Sequence, residues 1–210
     1  MRRALQTVSQ IAADQWGLIT TRQALGQGMS ALDMSRLATD GLLVRVRHGV
    51  YRVSATPPHS LDGLRAEWLA LEPGVTALER IAFPTAGAVV SGPTAAWIRD
   101  LGVVSGLPYE FALPYRRQTS QSQVMLRMRA YRPEEVEIVA GLPVTTVQRT
   151  IADLLFDRLD LDQVRQIVED CRPGVFSPAT LSAMIPTLAR RYGITRGALT
   201  REIDSWHNES

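Results

Sequence analysis

"GLITTRQALGQGMSALDMSRLATDGLLVRVRHGVYRV", residues 17–53, decides how the first part of this chain folds. Gly17 stops whatever precedes it, and Leu18-Ile19 is too short and apolar for more than a brief extended piece. Thr20 and Thr21 are hydroxyl caps for a short helix, TRQAL, because a side-chain oxygen there can accept an orphan N–H of the first turn. The glycines of GQG make a turn, Ser30 caps a third helix, ALDMSRLATD, and Gly41 ends it. LLVRVRHGVYRV then folds back on itself at His48-Gly49, a hairpin signal. Upstream, LQTVSQIAADQ places Leu5, Val8, Ile11 and Ala12 at helical spacing. Three short helices, the last two joined by a glycine turn, followed by a basic hairpin, make the winged helix-turn-helix plan. In that plan the third helix enters the major groove of DNA and the hairpin lies along the backbone.

Folded symmetrically at its turn, the hairpin pairs Arg47 with Val50, Val46 with Tyr51, Arg45 with Arg52 and Val44 with Val53. One face is then apolar, and the other sets two arginines opposite each other. Like charges in that position destabilise a strand pair, so an anion across the wing is the expected reason for them. On this register Arg52→Thr leaves stability unchanged or slightly raised while weakening DNA binding. Arginine suits phosphates because its planar fork donates parallel hydrogen bonds. The expected DNA-binding set is Thr21, Arg22, Ser30, Ser35, Arg36, Arg45, Arg47, His48 and Arg52.

Charge agrees with this division. Residues 1–60 have seven Arg against three Asp, net +4, whereas residues 61–210 are net −2. A basic head on a slightly acidic body points the head toward nucleic acid. "ATPPHSLDG" at 55–63 reads as a linker. The expected domains are therefore residues 1–56, winged helix, and residues 61–210, a second domain. The fold class is α+β: the second domain is mixed and ends in several helices. In it LDGLRAEWLALEP is a helix, AVV a short strand, and SGPTAAWIRDLG a helix capped by Ser91. YEFALP, VMLRMRAY and VEIVAG are strands, and helices are expected near Thr146–Arg158, Asp160–Cys171, Ser177–Arg190 and Thr195–Trp206.

Composition removes several chemistries. All 23 basic residues other than histidine are arginine. With no lysine there is no Walker-type phosphate loop, no ordinary kinase lysine and no Schiff base. A single cysteine, Cys171, excludes an internal disulfide. The start has no continuous apolar stretch, and no passage reads as a membrane span, so a cytoplasmic protein without membrane contact is expected. Asp153 and Asp157 are one helical turn apart, but Arg149 stands one turn before Asp153, and an i,i+4 ion pair is the expected use. His48, His59 and His207 sit beside no ligand-spaced Cys or carboxylate, so no zinc site is expected. Ser91 in "SGPT" lacks the frame of a nucleophile elbow. Trp68, Trp97 and Trp206 read as core or interface anchors. No catalytic residue, metal or cofactor is called.

The stretch quoted first resembles the winged-helix domain of the AbiEi-type antitoxins of bacterial toxin–antitoxin systems. "AVVSGPTAAWIRDLG" and "GLPVTTVQRTIADLL" are similar to two recurring motifs of that family's C-terminal domain. The resemblance spans nearly the whole chain in the right order. It implies a cytoplasmic antitoxin that represses its own operon by binding operator DNA and neutralises a cognate nucleotidyltransferase-like toxin; a homodimer is compatible with it. One departure stands out: the outward face of the third helix carries Leu32, Asp33 and Asp40 beside a single Arg36. Two alternatives remain open on the residues. One is an atypical kinase-like antitoxin that phosphorylates the toxin, whose added negative charge would spoil a nucleotide site. The other is a winged-helix regulator whose second domain senses a small ligand.

Overall fold

The structure, a computed structural model, describes residues 2–206; His207 lies outside them. The chain divides into two compact units, Met1–Ala86 and Gly87–Ser210.

The first unit contains α1 (Arg2–Ala13), β1 (Leu18–Thr20), α2 (Thr21–Gly26), α3 (Ala31–Thr39), β2 (Leu43–Arg47), β3 (Val50–Val53), α4 (Asp62–Leu71) and α5 (Ala77–Ile81). The cap of α2 is Thr20: its hydroxyl accepts from Gln23 N, while Gln23 reaches back to Thr20 N. The three strands form an antiparallel sheet in the order β1-β3-β2. Val8, Ala12, Ile19, Ala24, Met34, Leu37, Leu43 and Tyr51 pack into one core. Gly49 turns the hairpin with φ 78°, in the left-handed region.

The hairpin register differs from the symmetric expectation. Leu43 faces Val53, Val44 faces Arg52, Arg45 faces Tyr51 and Arg47 faces Val50, with an irregularity between Arg45 and Arg47. The extra residue, Val46, is a bulge, and a bulge shifts every pair beyond it by one place. Arg45 therefore does not oppose Arg52. Both faces of the sheet are covered, since α4 packs on β1, β2 and β3. That is why α4, DGLRAEWLAL, is buried nearly all round. The division of the chain accordingly falls after Ala86 and not in the proline-containing stretch at 55–63, and α4 belongs with the first unit.

Buried amides tie the segment after α4 to the same unit. Gln15 and Gln23 hydrogen-bond each other at 2.7 and 3.1 Å, Gln23 donates to Val75 O, and Ala77 N donates to Gln15. Thr20 Oγ1 donates to Pro73 O. A buried amide left without partners is strongly destabilising, so these bonds set where residues 73–77 run.

The second unit has a five-stranded sheet, order β6-β5-β4-β8-β7, from β4 (Val89–Val90), β5 (Tyr109–Leu113), β6 (Val124–Met128), β7 (Val136–Val139) and β8 (Leu142–Thr145). β4 runs parallel to β8 and antiparallel to β5; β5 is parallel to β6, and β7 antiparallel to β8. The helices are α6 (Gly92–Trp97), α7 (Val147–Phe156), α8 (Leu161–Glu169), α9 (Ile185–Tyr192) and α10 (Arg196–Ser205). Ile151, Leu155, Ile167, Leu188, Leu199 and Trp206 are among the residues of their shared core. The molecule is α+β. The helix expected over Ser177–Arg190 is a 3-10 turn, Pro178–Leu181, followed by α9. Pro186 has no N–H to give and so stands in the first turn of a helix, not in its middle. Among the described residues no helix is long and apolar enough to cross a membrane.

Candidate nucleic-acid interface

α3 has a closed N-terminus. Ser30 Oγ accepts from Asp33 N, and Asp33 Oδ2 accepts from both Ser30 N (2.9 Å) and Ser30 Oγ (2.7 Å). This capping box holds the Asp33 carboxyl below the ordinary carboxylate range, chiefly through the Ser30 hydroxyl and amide. The acid that looked hostile on a groove-facing helix is consumed in ordering its first turn. Met34 and Leu37 are buried beneath, and Leu32, Ser35 and Arg36 are exposed.

Arg22 is exposed on α2, and Thr21 N donates to Gly49 O at 2.9 Å, which ties the start of that helix to the wing turn. At the wing tip Arg45 and His48 are exposed, with Arg45 Nη2 3.4 Å from His48 Nδ1. The Arg45 guanidinium also leans over Tyr51, 5.8 Å from the ring centroid. That contact follows from the bulge, which puts Tyr51 where the symmetric register put Arg52.

The other two wing arginines have internal partners. Arg52 Nη1 lies 2.7 Å from Asp62 Oδ2, with side-chain exposures of 14% and 10%. Arg47 Nε lies 2.9 Å from Glu67 Oε1. Both acids come from α4. Burial pushes the Glu67 carboxyl up, and Arg47 opposes that only in part. Of the nine residues expected from the sequence, Arg22, Ser30, Ser35, Arg36, Arg45 and His48 are exposed, Thr21 is half-buried, and Arg47 and Arg52 are turned to carboxylates. Asp62 and Glu67 were missed. Their signal was present: a helix with apolar residues on nearly every face has to be covered on both sides, and acids inside it need cations.

Two sites in the second unit depart from or extend the sequence reading. Ser91 makes no side-chain cap; its hydroxyl donates to Glu110 Oε1 at 3.1 Å. Asp153 does pair with Arg149 at 2.9 Å, and it also accepts from Tyr131 Oη at 2.6 Å and faces Arg129 at 3.3 Å. Burial and the neighbouring Asp153 carboxylate raise the Tyr131 hydroxyl's pKa, so it stays a donor.

No curated protein matches the chain. Among solved structures the chain is similar to the RV2827C protein from Mycobacterium tuberculosis, at 17% identity and a TM-score of 0.53. The match covers 98% of this chain and 81% of that one. At this identity the likeness concerns the fold alone. A family model described as "Transcriptional regulator, AbiEi antitoxin" matches residues 6–54, the stretch from within α1 to the end of the wing. The likeness to that family model is therefore confined to the N-terminal helices and hairpin, with the rest of the chain outside the match.

Proposed function

We propose that this protein represses its own operon by binding operator DNA, and that it neutralises a cognate nucleotidyltransferase-like toxin through its second unit. The observation that carries the first part is the sorting of the head's arginines. Arg22, Arg36 and Arg45 stand exposed on α2, α3 and the wing tip, while Arg47 and Arg52 are matched to acids. On this reading α3 lies in the major groove, with Ser35 and Arg36 toward base edges. Arg22, Arg45 and His48 meet phosphates, and Arg47 and Arg52 hold the wing to α4. Ser30 serves as a cap. The second part is supported by the resemblance of residues 88–102 and 141–155 to the family's C-terminal motifs and by a separate unit with its own core.

Fluorescence anisotropy with the DNA upstream of the chain's own gene tests the first part. Binding should weaken with rising salt, because arginine–phosphate contacts release counterions, and Arg36→Ala should reduce the preference for that DNA over a scrambled sequence. Equal affinity for both DNAs before any mutation would refute operator recognition. Co-expression with the adjacent gene product tests the second. Co-purification with unchanged partner mass fits occlusion, and a discrete mass gain fits modification. Neither binding nor a mass change would leave repression alone.

A further inference from the structure

The second unit contains a cleft of about 250 Å³ between the start of α6, strands β5 and β6, and the end of α7. Its charged lining is Glu110, Arg127, Asp157 and Arg158, two acids and two arginines, with Ser105 as a further polar residue. Leu107, Met125, Leu154 and Leu159 contribute apolar wall. We propose that this cleft binds a free α-amino acid with an apolar side chain.

Glu110 is 3% exposed and is held from two sides, by Ser91 Oγ at 3.1 Å and by Arg127 Nε at 3.3 Å. Each carboxylate oxygen has a second lone pair, so Glu110 has capacity for further donors. Burial raises its pKa, which means that the charged form is short of solvation and gains from an arriving ammonium. Gly92 fits the same arrangement. Its φ is +55°, and a Cβ there would lie 2.3 Å from Glu110 Oε1, so the chain keeps this corner clear for the carboxylate. Asp157 is already paired with Arg129 at 2.9 Å.

Beside Glu110, Arg127 is half-exposed and sets Nε against its carboxylate, and among the described residues neither Nη group has a partner, so both can donate. Arg158 is exposed. A guanidinium with two donors in one plane matches a carboxylate. A lining that sums to zero charge, with an acid buried at one end and arginines at the mouth, suits a zwitterion better than an ion of either sign. The leucines and Met125 give its side chain an apolar environment, and the volume, just under the roughly 300–1,000 Å³ of drug-sized ligand pockets, suits a ligand as small as an amino acid.

Isothermal titration of the full chain with L-leucine, isocaproate and isopentylamine tests this. L-Leucine should bind, and the two analogues, lacking the amine or the carboxylate, should each bind about tenfold or more weakly. Glu110→Gln should weaken leucine and leave isocaproate little changed. Arg127→Ala, at a half-exposed position, should weaken leucine and isocaproate together and should not weaken isopentylamine, since it frees the Glu110 carboxylate from a competing cation; it decides the matter if the Glu110 variant does not fold. Absence of binding by leucine, methionine and phenylalanine at millimolar concentration would overturn the proposal. So would equal binding of leucine and either analogue.

Discussion

Arg52→Thr separates two accounts of the wing. Were Arg52 opposite Arg45, the change would relieve a like-charge contact and stability would hold or rise by a few tenths of a kcal/mol. The observed pairing reverses the sign. Arg52 Nη1 is 2.7 Å from Asp62 Oδ2, and the two side chains are 14% and 10% exposed. Threonine removes a charge-assisted hydrogen bond worth about 1.5–3 kcal/mol. It also strands a carboxylate that keeps the His59 N–H donor at 3.1 Å and a little access to water. Full burial would bring the loss to about 3–5 kcal/mol; the residual access brings it down to about 2 kcal/mol. For a unit of this size that lowers Tm by roughly 8–16 °C. Urea denaturation of wild type, Arg52→Thr, Asp62→Asn and the double variant gives the coupling directly, and about 1–2 kcal/mol is expected. A loss below about 0.5 kcal/mol for Arg52→Thr, with coupling near zero, would refute the assignment of Arg52 to α4.

Ala at Arg22 or Arg45 should each flatten the dependence of log K on log salt by up to about 0.9, as expected where an arginine meets a phosphate; Arg52→Thr should leave the slope alone, as anisotropy titrations at several salt concentrations will read. Gly92→Ala should destabilise the second unit by about 1–3 kcal/mol, because the new Cβ meets Glu110 at a left-handed φ; a melting curve that matches wild type would contradict the cleft geometry. Stability should also depend on pH in two opposite ways. Glu67 and Glu110 have pKa values raised by burial above the ordinary 4.5, so the native chain binds more protons than the unfolded one between 4.5 and their folded values. Stability falls as pH rises through that window and is flat above it. Asp33, Glu79 and Glu135 are lowered, mainly by hydrogen bonds to their charged forms, and they lose stability as pH falls below the ordinary range. Chemical denaturation across pH should therefore peak near the ordinary carboxylate value, and Glu110→Gln should remove part of the fall on the high side.

The helix-turn-helix was readable because its punctuation is local. Thr20, Ser30, Gly41 and Gly49 each act on their own turn of chain, and a cap or a positive φ needs no distant partner. The wing register was not readable in this way. LVRVR alternates well enough to pair symmetrically, and only contacts on both faces of the sheet select the version with Val46 bulged out. The same applies to α4. Pro57 and Pro58 look like a boundary, yet whether the following helix leaves or returns depends on what it can bury. Thr145 and Leu142 belong to β8, a strand interrupted in sequence by Pro143 and invisible to a two-residue alternation. Glu110 sits in YEFAL among apolar neighbours, where period alone marks it as an outward residue; its burial follows from Ser91 and Arg127, far away in sequence.

Redrawing the unit boundary also changes the electrostatic argument. Residues 1–60 are net +4, but the unit to Ala86 has nine arginines and seven acids, net +2, and the second unit is neutral. The long-range field that would steer the head toward DNA is thus half of what the linker-based division implied. Position takes over from net charge. Asp62 and Glu67 sit against the sheet face that α4 covers, and Asp33 is turned back on Ser30. Among the described side chains of this unit, the arginines left exposed are those on α2, α3 and the wing tip. On the proposed reading, few phosphate contacts mean a shallow salt slope and modest non-specific affinity. Discrimination between operator and other DNA then rests more heavily on α3, where Leu32 can meet a thymine methyl and Arg36 a guanine edge. On that same reading an acid-bearing α4 would serve recognition as well as folding, because it removes from the wing two charges that would bind any sequence equally well.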